Sequence, residues 1–272
     1  MKEYEVRVLK LAAIGSNCVD FYVNINGGEA FPGGGPVNMA VYTARLGESS
    51  SYIGPVGNDK NGEIILNSLE KEKVDISHVR IEEGNTAVTE VSLENGERIF
   101  GDYHEGVMID YSLSDADIDF IATHDFVVAD FWGRAEQYLP ILHKRGIKIA
   151  FDCANRLNDD ICTAVIPYVD YLFFSSDFGD NENLRDQMRK IHHKGSGIVI
   201  AMLGEKGSLS YDGSKFIKFG IIPCDNVVDT MGAGDSYIAG FLCGIDKYGN
   251  ISLAMENGAK TATKTISYFG AW

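Results

Sequence analysis

Two hydrophobic rhythms alternate along the chain. Val8–Gly15 is an apolar run closed by glycine, as in a strand buried on both faces. In Pro36–Leu46, Val37, Ala40, Val41 and Ala44 recur at helical spacing, and Gly47 is placed to cap the end. Tyr52–Val56 reads as a short strand, and Gly62–Glu72 as an amphipathic helix with Ile65, Leu66 and Leu69 on one face. Ala87–Leu93 and Arg98–Tyr103 are strand-like. Between them, Glu94-Asn95-Gly96-Glu97 carries the Asn-Gly signal of a tight hairpin.

From residue 114 the alternation is regular. Strands are predicted at Phe126–Ala129, Lys148–Asp152, Tyr171–Phe174 and Gly197–Leu203. Helices are predicted at Glu136–Lys144, Asp159–Ile166 and Asn183–Lys194, then at Gly234–Ile245 and Ser252–Ser267. Such alternation implies an α/β fold, a mainly parallel sheet flanked by helices. No repeat or linker divides the chain, so one domain is expected over residues 1–272. The polar, Gly-rich stretch at about 20–34 and the hairpin at about 86–106 interrupt the rhythm. They are expected to form a separate small sheet on the edge of the core.

Charge narrows the function. Asp plus Glu number 39 against 24 Lys plus Arg, a net charge of −15. So acidic a surface repels phosphate backbones and anionic lipid, which argues against nucleic-acid and membrane partners. An anionic substrate then needs a local positive feature, such as a helix N-terminus or a metal. Cys18, Cys153, Cys162, Cys224 and Cys243 are odd in number, widely spaced and form no C-x-x-C pair. They read as reduced thiols of a cytoplasmic protein, not as a disulfide frame or a zinc site. The charged N-terminus has no apolar signal core, and no stretch approaches a membrane span.

The most specific motif is Asp229-Thr-Met-Gly-Ala-Gly-Asp-Ser236, at the start of a predicted helix. Its small residues let the backbone turn tightly and expose successive N–H groups, which at a helix N-terminus make an anion site. A capped helix start with Asp235 as a first-turn acid would explain a shorter match. The full string suggests phosphoryl transfer. The amides of Gly232, Ala233 and Gly234 would hold the developing charge, and Asp235 would accept the proton of the attacking hydroxyl.

Other nucleotide motifs fail. No G-x-x-x-x-G-K-[ST] is present, and Asp177-Phe178-Gly179 has no accompanying H-R-D loop. Gly33-Gly34-Gly35-Pro36-Val37-Asn38 puts Asn38 where a dinucleotide fingerprint has its third glycine. Phe31-Pro32 is also a poor end for a preceding strand.

Together these motifs resemble the PfkB or ribokinase family of sugar kinases. Asp229–Phe241 matches its C-terminal signature. Gly33–Leu46, followed by Gly54-Pro-Val-Gly-Asn-Asp59 and Gly62, matches its N-terminal one. The resemblance implies a ribokinase-like three-layer fold with a β-sheet lid, ATP and Mg2+ as cosubstrates, and in some members a potassium ion. It assigns Asp20, Gly33, Gly34 and Asn38 to the sugar, although Asp20 also reads as a turn acid and Asn38 as a solvated first-turn residue. It assigns Ser175, Gly204, Gly207, Thr230 and Asn257 to the nucleotide side. Gly204-Glu-Lys-Gly207 also reads as a plain turn leading into Ser208–Tyr211, and Asn257 as a solvated helix position. The N-x-x-E motif by which many members organise magnesium is missing from Ser175–Asp180. Asp177, Asp180 and Glu182 remain as nearby carboxylates.

Phe100-Gly-Asp-Tyr103, Glu105-Gly-Val-Met108 and Gly270-Ala-Trp272 resemble the members that phosphorylate the C6 hydroxyl of a fructosamine such as fructoselysine. On that reading Arg98, Asp102, Tyr103 and Glu105 choose the amino-acid end. Arg98 would grip a carboxylate, and Glu105 or Asp102 an ammonium. Trp132 would stack on the sugar or linker. The alternative is that the charges form the solvated face of a hairpin and that Trp132 is core. An exposed lid sheet also suggests a homodimer. Two other functions share parts of this pattern. One is a kinase of another small acceptor, such as fructose, ribose or a nucleoside. The other is a non-catalytic sugar or nucleotide sensor, which would have no need of Asp235.

Overall fold

The structure is a computed structural model that describes residues 7–94 and 97–272. The expected Asn95-Gly96 turn lies outside them. The strands are β1 (Lys10–Ile14), β2 (Cys18–Tyr22), β3 (Glu29–Gly33), β4 (Ser49–Ile53), β5 (Pro55–Gly57), β6 (Arg80–Glu82), β7 (Val88–Glu94), β8 (Glu97–His104), β9 (Phe126–Asp130), β10 (Lys148–Asp152), β11 (Tyr171–Ser175), β12 (Ile198–Met202), β13 (Ser208–Tyr211) and β14 (Phe216–Phe219). The helices are α1 (Gly35–Arg45), α2 (Lys60–Lys71), α3 (Asp115–Ile121), α4 (Leu139–Lys144), α5 (Asp160–Val165), α6 (Glu182–His193), α7 (Ala233–Tyr248) and α8 (Ile251–Thr265).

Eight strands form the main sheet, in the order β14-β13-β12-β11-β10-β9-β1-β4. The six from β12 to β4 are parallel, and β13 and β14 extend the sheet antiparallel. The apolar runs are continuous because both faces are covered. Successive side chains of β9 alternate between two cores. Val127 and Ala129 join Ile118, Leu142, Val165 and Met188 of α3 to α6. Phe126 and Val128 join Val37, Ile65, Phe241 and Met255 of α1, α2, α7 and α8.

The two segments that break the rhythm do pair. They form a second sheet in the order β3-β2-β7-β8. Its hairpin closes on Glu94 and Glu97. Phe31-Pro32, expected to be a poor end for a strand, lies within one, because β3 runs through Pro32. It is an edge strand, where the missing N–H costs no ladder bond. The dinucleotide reading still falls, since this strand belongs to the small sheet and not to the core.

Other differences are local. The expected Tyr52–Val56 strand is two elements broken at Gly54, where a Cβ would lie 2.3 Å from the Tyr52 hydroxyl. The expected 136–144 helix begins as a 3-10 turn, and its α-helical part starts beside Pro140. Helix α3 follows a capping box between Ser114 and Asp117. Among the described residues no helix is long and apolar enough to cross a membrane.

Candidate active site

The parallel strands end on one side of the sheet, where open α/β sheets bind their ligands. There a cavity of about 880 Å³ is lined by the residues that follow them. Ser16 and Asn17 come after β1, Trp132 after β9, and Ala154 and Asn155 after β10. Asp130, Asp152 and Ser175 are the last residues of their strands. Across the cavity the small sheet contributes Asp20, Thr89, Phe100, Gly101 and Tyr103. The starts of α1 and α7 contribute Gly34, Asn38, Met231 and Asp235.

Two glycine loops make this convergence fit. A Cβ on Gly35 would lie 2.8 Å from Asp130 Oδ2 and 3.5 Å from Asp235 Oδ1, so α1 starts between two carboxylates with no room for a side chain. Gly232 caps α7 in the left-handed region at φ +71, and its missing Cβ would meet the Ala271 carbonyl at 2.8 Å. Gly234 and Asp235 follow in the first turn of α7, where amides have no acceptor within the helix. The Ala233 amide is already engaged, donating to the Thr230 carbonyl at 3.2 Å.

Asp235 sits on a short relay. Asn38 Nδ2 donates to Asp235 Oδ2 at 2.7 Å, and Trp272 Nε1 donates to Asn38 Oδ1 at 2.7 Å. Burial pushes the Asp235 carboxyl up to about 6, with the Asn38 hydrogen bond opposing it. Burial raises Asp20 to about 6, Asp152 to about 7 and Asp130 to about 8. The Asp235 charge adds to the shifts of Asp130 and Asp152. Ser16 Oγ donates to Asp130 Oδ2 at 2.7 Å. With Asp177, five aspartates line the cavity, and no lysine or arginine is among the lining residues.

The sequence assignments divide on this geometry. Asp20, Gly34, Asn38, Tyr103, Trp132, Ser175 and Asp235 face the cavity, and Gly33 backs the Asp20 carboxylate. Arg98 does not face it. Its side chain is 10% exposed and is hydrogen-bonded to Asp229, with the Tyr22 and Phe269 rings 5.3 and 5.5 Å away. Glu105 accepts three hydrogen bonds from Arg134, at 2.7, 2.9 and 3.3 Å, so its charge is matched within the chain. Asp102 is exposed on β8, outside the lining.

On the nucleotide side, Gly204 and Gly207 bound the turn between β12 and β13, so the loop is also the hairpin turn. Thr230 lies in the Asp229–Asp235 loop. Asn257 is half-buried and lies outside the cavity lining. Its Nδ2 donates to the Gly240 carbonyl at 2.7 Å and ties α8 to α7. Of the three carboxylates near the missing N-x-x-E, only Asp177 lines the cavity. Asp180 accepts from Arg185 at 2.7 and 3.0 Å, and Glu182 accepts from Arg189 at 2.7 Å. Asp130 and Asp152 escaped sequence reasoning. The available signal is an acid closing a buried apolar run, as in Phe-Val-Val-Ala-Asp130 and Ile-Ala-Phe-Asp152.

Residues 10–272 match the pfkB family carbohydrate kinase model. The chain belongs to this family. A fructoselysine 6-kinase of Shigella flexneri is 45% identical over 262 residues, covering 96% of this chain and 99% of the relative. The fructosamine kinase FrlD of Bacillus subtilis is 35% identical over 269 residues, covering 97% and 93%. Among solved structures, a ribokinase of Arabidopsis thaliana complexed with ribose and ATP aligns with a TM-score of 0.89 at 22% identity, covering 97% of this chain and 95% of that one. The fold of this pfkB-family chain is therefore ribokinase-like. As a family member it is a phosphotransferase that acts on an alcohol group.

Proposed function

We propose that this pfkB-family kinase transfers the γ-phosphoryl group of ATP to the C6 hydroxyl of fructoselysine. The observation that carries the acceptor is the 45% identity to a fructoselysine 6-kinase across nearly the full length of both chains. The reaction itself rests on Asp235, a buried carboxylate in the first turn of α7, held by Asn38 at 2.7 Å.

In its ionised form Asp235 takes the proton of the C6 hydroxyl as that oxygen attacks the γ-phosphorus. The new O–P bond forms as the bond to the β-phosphate oxygen breaks, and ADP leaves. The Gly232 and Gly234 amides hold the charge on the transferring group. Ala233 contributes less than the sequence suggested, because Thr230 occupies its amide. The small sheet acts as the lid, with Asp20 and Asn38 on the sugar hydroxyls and Tyr103 and Trp132 against its apolar edge.

Magnesium fits the cavity. Asp152 is buried, and Ala154 N donates to its Oδ1 at 2.9 Å. Its Oδ2 lacks a hydrogen-bond donor among the described residues. Asp152 and Asp177 would hold the ion, which when bound neutralises phosphate charge. The five free thiols and the need for ATP fit the cytoplasm.

The test is ADP release against four acceptors. Fructoselysine is expected to exceed fructose, ribose and adenosine in kcat/KM by on the order of 10²-fold. Equal or better turnover with one of the others would overturn the acceptor assignment.

A further inference from the structure

We infer that the Trp272 indole is a positioning group for the catalytic base, acting through Asn38. The inference rests on the reading of Asp235 as that base. An asparagine amide has two ends of similar shape and opposite hydrogen-bonding character. Asn38 is buried between a carboxylate, which as the ionised base only accepts, and an indole N–H, which only donates. One orientation satisfies both neighbours, with NH2 toward Asp235 and the carbonyl toward Trp272. The indole therefore selects the rotamer in which Asn38 donates to the base. Without it the amide is free to turn its carbonyl on Asp235, which repels the ionised form.

The tail that carries Trp272 is fastened to the parts it would coordinate. The Phe269 ring packs 5.7 Å from Tyr22 and 5.5 Å from Phe31 of the lid. Gly270 N donates to Asp229 Oδ2 at 2.8 Å. The Tyr42 hydroxyl of α1 donates to the Ala271 carbonyl. These contacts leave the indole little freedom to swing away. A hydrogen bond to the charged form lowers the pKa of a carboxylate, and burial of Asp235 works against it. Through Asn38, the indole sets how much of the base is ionised near neutral pH.

The experiment is Trp272→Phe, which keeps an aromatic ring and removes the donor. The expected kcat is about tenfold lower, the scale of one charge-assisted hydrogen bond. The acidic limb of the kcat–pH profile should move to higher pH, with KM for ATP unchanged. In an Asn38→Leu background the same substitution should move nothing further, because the relay is already cut. The carboxyl of Asp235, followed by 13C NMR titration, should report the same upward shift independently of turnover. If Trp272→Phe unseats the tail, benzothienylalanine at position 272 keeps the bicyclic shape with sulfur in place of N–H, and the same shift is expected. An unmoved Asp235 titration with either replacement would overturn the inference. Full turnover in Asp235→Asn would instead overturn the reading on which it rests.

Discussion

Asp235→Asn is expected to lower kcat by on the order of 10²–10⁴-fold, the usual range for loss of a positioned general base. The amide keeps the size of the carboxylate and has no basic oxygen for the C6 hydroxyl proton. Asn38 still has a carbonyl to donate to, so the fold of the site is kept, and calorimetry should find fructoselysine and ATP bound within a few-fold of the parent affinity. The parent enzyme should show the complementary pH dependence. A base works in its deprotonated form, and burial holds Asp235 at about 6. Turnover therefore rises as pH increases through that value and is lost below it. A variant that keeps more than about a tenth of the parent kcat would contradict the assignment of Asp235.

Arg98→Met is expected to destabilise the fold by about 3 kcal/mol, the cost of leaving a buried charge without its partner. Both side chains of the Arg98–Asp229 pair are about nine-tenths buried. The Nε and Nη1 atoms of Arg98 find no hydrogen-bond partner among the described residues, so Asp229 and the two flanking rings stabilise its charge. Asp229 retains the Met231 and Gly270 amides at 3.0 and 2.8 Å, which places the loss at the low end of the range for buried pairs. The pair also joins β8 of the small sheet to the first residue of the Asp229–Asp235 loop, so kcat should fall along with stability. Arg98→Lys should not restore it, because an ammonium does not lie flat between two rings. Urea unfolding measures the loss. A change under about 1 kcal/mol would show that the pair does not anchor the small sheet. Asp229→Asn added to Arg98→Met should recover part of the stability by removing the orphaned carboxylate.

The fold and the reactive loops were legible in the sequence for local reasons. Helix α1 and the start of α7 are written in glycine, proline and periodic apolar residues within a dozen positions, and each structure follows its own string. Asp20, Asn38 and Asp235 stand in or beside those strings, and all three line the cavity. The pairing of Arg98 and Glu105 within the chain was not legible, because their partners lie far along it. Arg98 is 131 residues from Asp229, and Glu105 is 29 residues from Arg134. No hairpin pattern shows that a charge is already matched. Asn257 misled in the same way, since a packed helix pair consumes an amide that a lone helix would present to solvent. Trp272 was legible only as a resemblance, and its bond to Asn38 spans 234 residues. Asp130 and Asp152 were hidden by success. The strands were read as apolar runs: Asp152 passed as the end of its strand, and Asp130 fell one residue beyond the expected end at Ala129.

The measurement that bears most directly on the central claim is the position of phosphate in the product. Fructoselysine, ATP and Mg2+ are incubated with the enzyme, and the product is read by 31P–1H correlation NMR. The account predicts one phosphorylated product, with phosphorus coupled to the two C6 protons and one ADP formed per phosphate transferred. Phosphate on another hydroxyl, or ADP without a sugar phosphate, would contradict transfer to the C6 oxygen under Asp235.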